Sequence, residues 1–138
     1  MDLRRRHAAH ALAARPELGA KQIAWNDLFE RTDLPNALIG ATLAGFVQPE
    51  QRDLLVNFRE QYFAEIPRMW RDRTHEIAQE LTVGLYPFLL ADAETLRLTD
   101  ELLASAAADD LGPAGRRLVS EGRDGVERSI RAQARDRA

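Results

Sequence analysis

Phe46-Val47-Gln48-Pro49-Glu50-Gln51, then Leu54-Leu55, Phe58, Tyr62-Phe63 and Ile66-Pro67-Arg68-Met69-Trp70, marks this chain as helical. Leu54, Leu55, Phe58, Tyr62, Phe63 and Ile66 return every few positions and fall mostly on one helix face. Pro49 suits a first helical turn, where its missing N–H is not needed, so it opens this helix. Pro67 lacks the amide that an interior position must donate, and the helix is expected to end or kink there.

The pattern extends in both directions. Residues 2–14 are rich in alanine and arginine and read as a helix that stops before Pro16, which disfavours helical geometry at Arg15. Residues 20–31 carry Ile23, Ala24, Leu28 and Phe29 at helical spacing, with Trp25 beside them. Pro35 opens the next helix, along which lie Leu38, Ala41, Ala44 and Phe46. Thr74 is a candidate N-cap for a segment with Ile77, Leu81, Leu85 and Phe88, which Pro87 stops or bends. Asp92 caps a helix through Ala107 with Leu96, Thr99, Leu102 and Leu103 inward. Gly112-Pro113 starts the last helix, on which Leu118, Val119, Gly122, Val126 and Ile130 are spaced by turns. The polar tail from Arg131 is expected to fray.

These segments predict an all-α fold of antiparallel helix pairs, stacked as a HEAT-like α-solenoid fragment. With no linker rich in glycine, serine or proline, residues 1–138 are expected to form one domain. No internal sequence period is evident, so any repetition is architectural.

A chain of 138 residues with 45% apolar content can bury a core. Its net charge of −3 lacks the basic surplus of a nucleic-acid or anionic-membrane binder, so neither partner is expected. Lys21 is the sole lysine, a skew toward arginine read as genome composition rather than a binding code. With no cysteine, disulfides, thiolate metal sites and cysteine nucleophiles are excluded. His7, His10 and Arg15 break the N-terminal alanine-rich run, which argues against a secretory signal. The basic start is read instead as a helix whose upstream partners are missing. No apolar run approaches the ~20 residues that span a bilayer. The expected location is cytoplasmic.

Catalytic motifs are sparse. His75-Glu76-Ile77-Ala78-Gln79 imitates the His-Glu-x-x-His of zinc peptidases, in which two histidines one turn apart hold the ion and the glutamate activates water. Gln79 replaces the second histidine, and the pair reads better as a helix N-terminus where Glu76 meets the favourable end of the dipole. His7 and His10 could share a helix face but lack further donors. Ser105, Ser120 and Ser129 lack a nucleophile elbow, and Gly112-Pro113-Ala114-Gly115 lacks the ending of a phosphate loop. Arg68, Arg71 and Arg73 around Trp70 form the best candidate binding surface, since arginine beside an aromatic can hold carboxylates or stack on planar groups. The simpler reading carries more weight: Trp70 packs inward while the arginines reach water, and likewise Arg116, Arg117 and Arg123.

Taken together, Lys21 through Trp25, Leu34-Pro35-Asn36-Ala37-Leu38, Gly45 through Gln51, Tyr62-Phe63 and Pro67-Arg68-Met69-Trp70 form an ordered series. Leu85-Tyr86-Pro87, Arg116-Arg117-Leu118 and Glu121-Gly122-Arg123-Asp124 continue it. In order and spacing the series resembles the C-terminal helical domain of aminopeptidase N-type (gluzincin) zinc metallopeptidases, in their actinobacterial form. Val47 stands where that family would be expected to carry tryptophan, and Gly122 where it would carry glutamine.

The resemblance implies a piece of a larger zinc-dependent exopeptidase, whose zinc motif and substrate-amine element belong to an upstream catalytic domain. No catalytic residue and no metal ligand carries over to this chain, so it is expected to hold no cofactor of its own. Its implied partners are the upstream catalytic domain of the same polypeptide and, through it, peptide substrates. Its implied role is to wall the substrate chamber and limit access to the active site. Gln48, Arg68, Trp70, Arg71, Arg73 and Arg123 are the residues expected to face the chamber or a partner. Two other readings stand beside this one: a free-standing α-solenoid interaction module, and a small hydrolase using His75 and Glu76.

Overall fold

The computed structural model describes residues 3–137, and every regular element among them is helical. The chain divides into two compact units, Met1–Asn57 and Phe58–Ala138.

In the first unit, α1 (Leu3–Ala13), α2 (Leu18–Glu30) and α3 (Asn36–Phe46) pack on one another. Trp25 stacks on Phe29 with ring centroids 4.5 Å apart and meets Phe46 at 5.8 Å. Leu28 and Ile39 are buried with them, each such side chain contributing roughly 1.5–3 kcal/mol. Gly45 lets α1 approach α3 closely: a Cβ there would stand 2.2 Å from the His10 carbonyl oxygen. Ile23 departs from expectation, being 65% exposed. The buried stripe of α2 is instead Lys21, Ala24, Trp25, Leu28 and Phe29.

The single helix expected from Pro49 is broken into a 3-10 turn (Pro49–Gln51), a short α4 (Arg52–Leu55) and a second 3-10 turn (Val56–Phe58). Gln51 leaves helical geometry (φ −112°, ψ 29°) and buries its side chain, whose Nε2 donates a 2.9 Å hydrogen bond to the Ala14 carbonyl. A tertiary bond thus replaces a local ladder.

The second unit contains α5 (Arg59–Asp72), α6 (His75–Leu85), α7 (Ala93–Ala104) and α8 (Ala108–Arg137), and α8 packs against the other three. Pro67 does not end α5, which runs on to Asp72. Ile66, Met69 and Trp70 are buried on either side of Pro67, and that packing outweighs the ~3 kcal/mol an interior proline costs. Thr74 caps α6, its hydroxyl accepting from the Ile77 amide, and Asp92 caps α7 by accepting from the Thr95 amide at 3.0 Å. Helix α6 ends at Leu85, leaving Phe88 outside it and 49% exposed. Helix α7 ends at Ala104 rather than Ala107, where the Ser105 hydroxyl donates to the Leu102 carbonyl. Its buried residues are Thr95, Thr99 and Leu102.

Gly112 interrupts α8 with φ 65° and ψ −178°, so the long segment begins at Pro113 as its sequence suggests. The polar tail expected to fray is helical through Arg137. An Arg131–Glu127 pair one turn apart supports its beginning.

Candidate functional site

Of the residues expected to face a chamber or partner, Gln48 lies in the first unit and Arg68, Trp70, Arg71, Arg73 and Arg123 in the second. Gln48 is engaged locally, its Nε2 donating 3.1 Å to the Ala44 carbonyl.

Trp70 is drawn into the core of its unit. It is 7% exposed, and its indole N–H donates a 2.8 Å bond to the Thr82 hydroxyl, which donates in turn to the Ala78 carbonyl. The His75 ring meets it edge-on at 5.5 Å, and Gly115 makes room for it: a Cβ there would lie 3.0 Å from the indole. A buried tryptophan needs a partner for its N–H, and Thr82 supplies it.

The arginines stand near acids. Arg68 Nε donates to Glu65 at 2.9 Å. Arg71 pairs with Asp72 at 2.9 Å, with Asp110 3.9 Å away. The hydrogen bond from Arg71 holds the Asp72 carboxyl below its ordinary range. Arg123 bridges Asp100 on α7 (2.6 Å) and Glu127 on its own helix (2.7 Å). Arg73 differs, because its Nη1 is buried without a hydrogen-bond partner. Its backbone N–H closes α5 on the Met69 carbonyl.

His75 begins α6 and is exposed, and Gln79 follows one turn later on the same helix. Among the described residues no three histidine or carboxylate side chains gather where they could hold a metal ion. The described residues therefore do not gather the three or four protein ligands that a resident zinc requires.

The most unusual ionisable group is one sequence reasoning passed over. Lys21 is wholly buried, and its ammonium donates to the carbonyls of Ala13 (2.6 Å), Phe46 (3.0 Å) and Gly45 (3.4 Å). It also stands 5.4 Å from the Phe46 ring centroid. These carbonyls lie at the C-terminal ends of α1 and α3, where unpaired oxygens and the helix dipole both favour a cation. Burial lowers the Lys21 pKa, and the charge of Glu50 opposes that shift. A signal was present in the sequence: Lys21 falls on the same helical stripe as Ala24, Trp25 and Leu28.

A family model described as "ERAP1-like C-terminal domain" matches residues 2–128. The chain is 50% identical over 133 residues to a protein named "Aminopeptidase N" from Streptomyces lividans. That match covers 96% of this chain but 15% of the relative, so the chain spans a small part of the protein it resembles. No helix among the described residues is long and apolar enough to cross a membrane. The chain belongs to the ERAP1-like C-terminal domain family: it is a C-terminal helical domain of the aminopeptidase N type.

Proposed function

We propose that this domain belongs to a longer, cytoplasmic, zinc-dependent aminopeptidase and serves it as a wall of the substrate chamber, limiting the access of peptides to an upstream active site. The observation that carries this reading is the 50% identity to an aminopeptidase N of which the chain spans only 15%. In this reading the zinc ion and its ligands belong to the upstream catalytic domain, and the helices continue as antiparallel pairs in a solenoid-like wall. The one-domain boundaries, 1–138, and the chamber-facing role of Gln48, Arg68, Arg71, Arg73 and Arg123 are parts of the same proposal, from which Trp70 is dropped because it is buried in the core of its unit. Among these, Arg73 is the most attractive contact, since a buried, unpartnered N–H is costly unless an acceptor reaches it.

The test replaces the matching segment of the Streptomyces lividans aminopeptidase with this chain, and separately deletes that segment. The chimera is expected to hydrolyse short peptide substrates while sparing unfolded polypeptides, and the deletion to lose that selectivity. Unchanged activity and unchanged size selectivity after deletion would refute the chamber role. A native polypeptide near 15.5 kDa in source cells, with no larger form, would favour the free-standing interaction module instead.

A further inference from the structure

We infer that Lys21 and Gln51 form a polar latch on the C-terminal end of α1, and that α1 opens from this latch as a unit while α2 and α3 stay folded on each other. The latch closes on two neighbouring backbone oxygens. The Lys21 ammonium, from α2, donates to the Ala13 carbonyl at 2.6 Å. The Gln51 Nε2, from the 3-10 turn after α3, donates to the Ala14 carbonyl at 2.9 Å. Both side chains are buried, and they reach α1 from 8 and 37 residues away.

Apolar packing joins α2 to α3: Trp25 stacks on Phe29 and meets Phe46, with Leu28 and Ile39 buried beside them. Helix α1 adds little to that core, since Ala13 is the one buried residue of its eleven. Its close approach to Gly45 is made by the His10 backbone and by the Cβ of Ala13, with no large side chain between. Elements with few buried apolar contacts open at lower free energy than the core they lie on. The connection from α1 to α2 is short and contains Pro16, and the Arg15–Glu17 ion pair that braces it is exposed, a kind worth little.

The polar groups themselves make the latch reversible. Closing it strips the Lys21 ammonium of water, a cost visible in its lowered pKa that the charge of Glu50 offsets in part. The shortest of its three bonds, to Ala13, exists only while α1 is docked. Opening returns the ammonium to water and leaves the carbonyls of Phe46 and Gly45 within its reach. Gln51 adds to this balance. Its Oε1 is buried without a hydrogen-bond partner, so opening lets water reach an acceptor that the closed form leaves unsatisfied.

Opening also uncovers the sole lysine of the chain, which is fully buried when the latch is closed. Its neutral amine can then attack an acid anhydride. With acetic anhydride the amide C–N bond forms, the C–O bond to the leaving acetate breaks, and the proton of the amine passes to solvent. The acetylated nitrogen carries no charge and a single N–H, so it cannot close the latch again.

The test measures amide hydrogen exchange and Lys21 acetylation on the 138-residue chain under native conditions, with mass spectrometry reading the peptide that contains Lys21. Amides of residues 8–14 are expected to share one protection factor, and Lys21 to be protected from acetylation by the same factor. That factor should lie roughly tenfold or more below the protection of the Leu28, Phe29 and Leu43 amides. Once acetylated, the chain should keep α2 and α3 protected while residues 8–14 lose protection. Lys21 protected as strongly as the Leu28 amide would mean that it is reached only by global unfolding, and would overturn the latch. So would protection that merely grades along α1 from its free end, or an acetylated chain in which all three helices lose protection together. Gln51→Glu turns an anionic oxygen toward the Ala14 carbonyl and should lower the protection of residues 8–14 and of Lys21 by the same factor, roughly tenfold or more. No change on that substitution would refute the part assigned to Gln51.

Discussion

The ammonium of Lys21 donates a 2.6 Å hydrogen bond to the carbonyl of Ala13, and through its bonds to Phe46 and Gly45 it ties the C-terminal ends of α1 and α3 to α2. One cation so replaces several of the caps that these helix ends would otherwise need. The C-terminal residues Val47 and Ala14 still close the last turns with backbone bonds, but the carbonyls beneath them face inward and depend on Lys21.

Lys21→Met is expected to destabilise the chain by about 3 kcal/mol in urea unfolding, because buried carbonyls lose their donor. The difference should widen with pH. Burial depresses the Lys21 pKa below the ordinary 10.5, so the folded chain sheds this proton before the unfolded chain does. Between those two pKa values the unfolded state binds more protons, and stability rises with pH. Unfolding at about pH 8 and about pH 10 measures the effect. A gap between the two proteins that narrows at the higher pH would show that desolvation is not the dominant influence.

Gly45→Ala forces a Cβ to within 2.2 Å of a backbone oxygen that no rotamer change can move. Separating α1 from α3 should cost about 2–3 kcal/mol. Gly19→Ala provides the contrast, since nothing lies within 4 Å of a Cβ there. It should raise stability by about 0.4–1 kcal/mol through the unfolded state. Equal effects of the two substitutions on the thermal midpoint would contradict the close approach.

Thr82→Val leaves the Trp70 N–H without its acceptor in the core, at a cost of about 1–3 kcal/mol. In a Trp70→Phe background the same change should cost less, and the double-mutant cycle isolates the bond. Additive losses would mean that the two side chains are not energetically coupled.

Gly112→Ala places a side chain at φ 65°, ψ −178°, a region that glycine alone tolerates. A loss of about 1–3 kcal/mol is expected although the surrounding space is open. No change in stability would indicate that the chain relaxes there into one continuous helix.

Local signals were legible where the chemistry is local. Thr74 and Asp92 cap as their side chains predict, because an N-cap needs only an oxygen two or three residues from a free amide. The Gly112-Pro113 start of the long helix is legible for the same reason. The helix does not end at Pro67, one of the two outcomes its sequence allowed, since the proline's local penalty is visible in the sequence whereas the packing of Ile66, Met69 and Trp70 around it is not. Ile23 misled: an isoleucine at helical spacing reads as core, yet here it lines an open groove. Gly122, which departs from the expected glutamine, lies against the Tyr86 ring, where a Cβ would come within 2.8 Å. Only the fold shows what that glycine admits.

Periodicity, capping residues and the order of short motifs are properties of neighbours along the chain, and they were enough for the helical class and the family. Partners distant in sequence were decided by tertiary structure alone. Lys21 lies 25 residues before Phe46, whose carbonyl it holds, and Arg59 lies 33 residues before Asp92. Trp70 was oriented by Thr82 and by the space at Gly115. The physical reason is that burial and hydrogen-bond satisfaction depend on which groups the folded chain brings within about 3 Å.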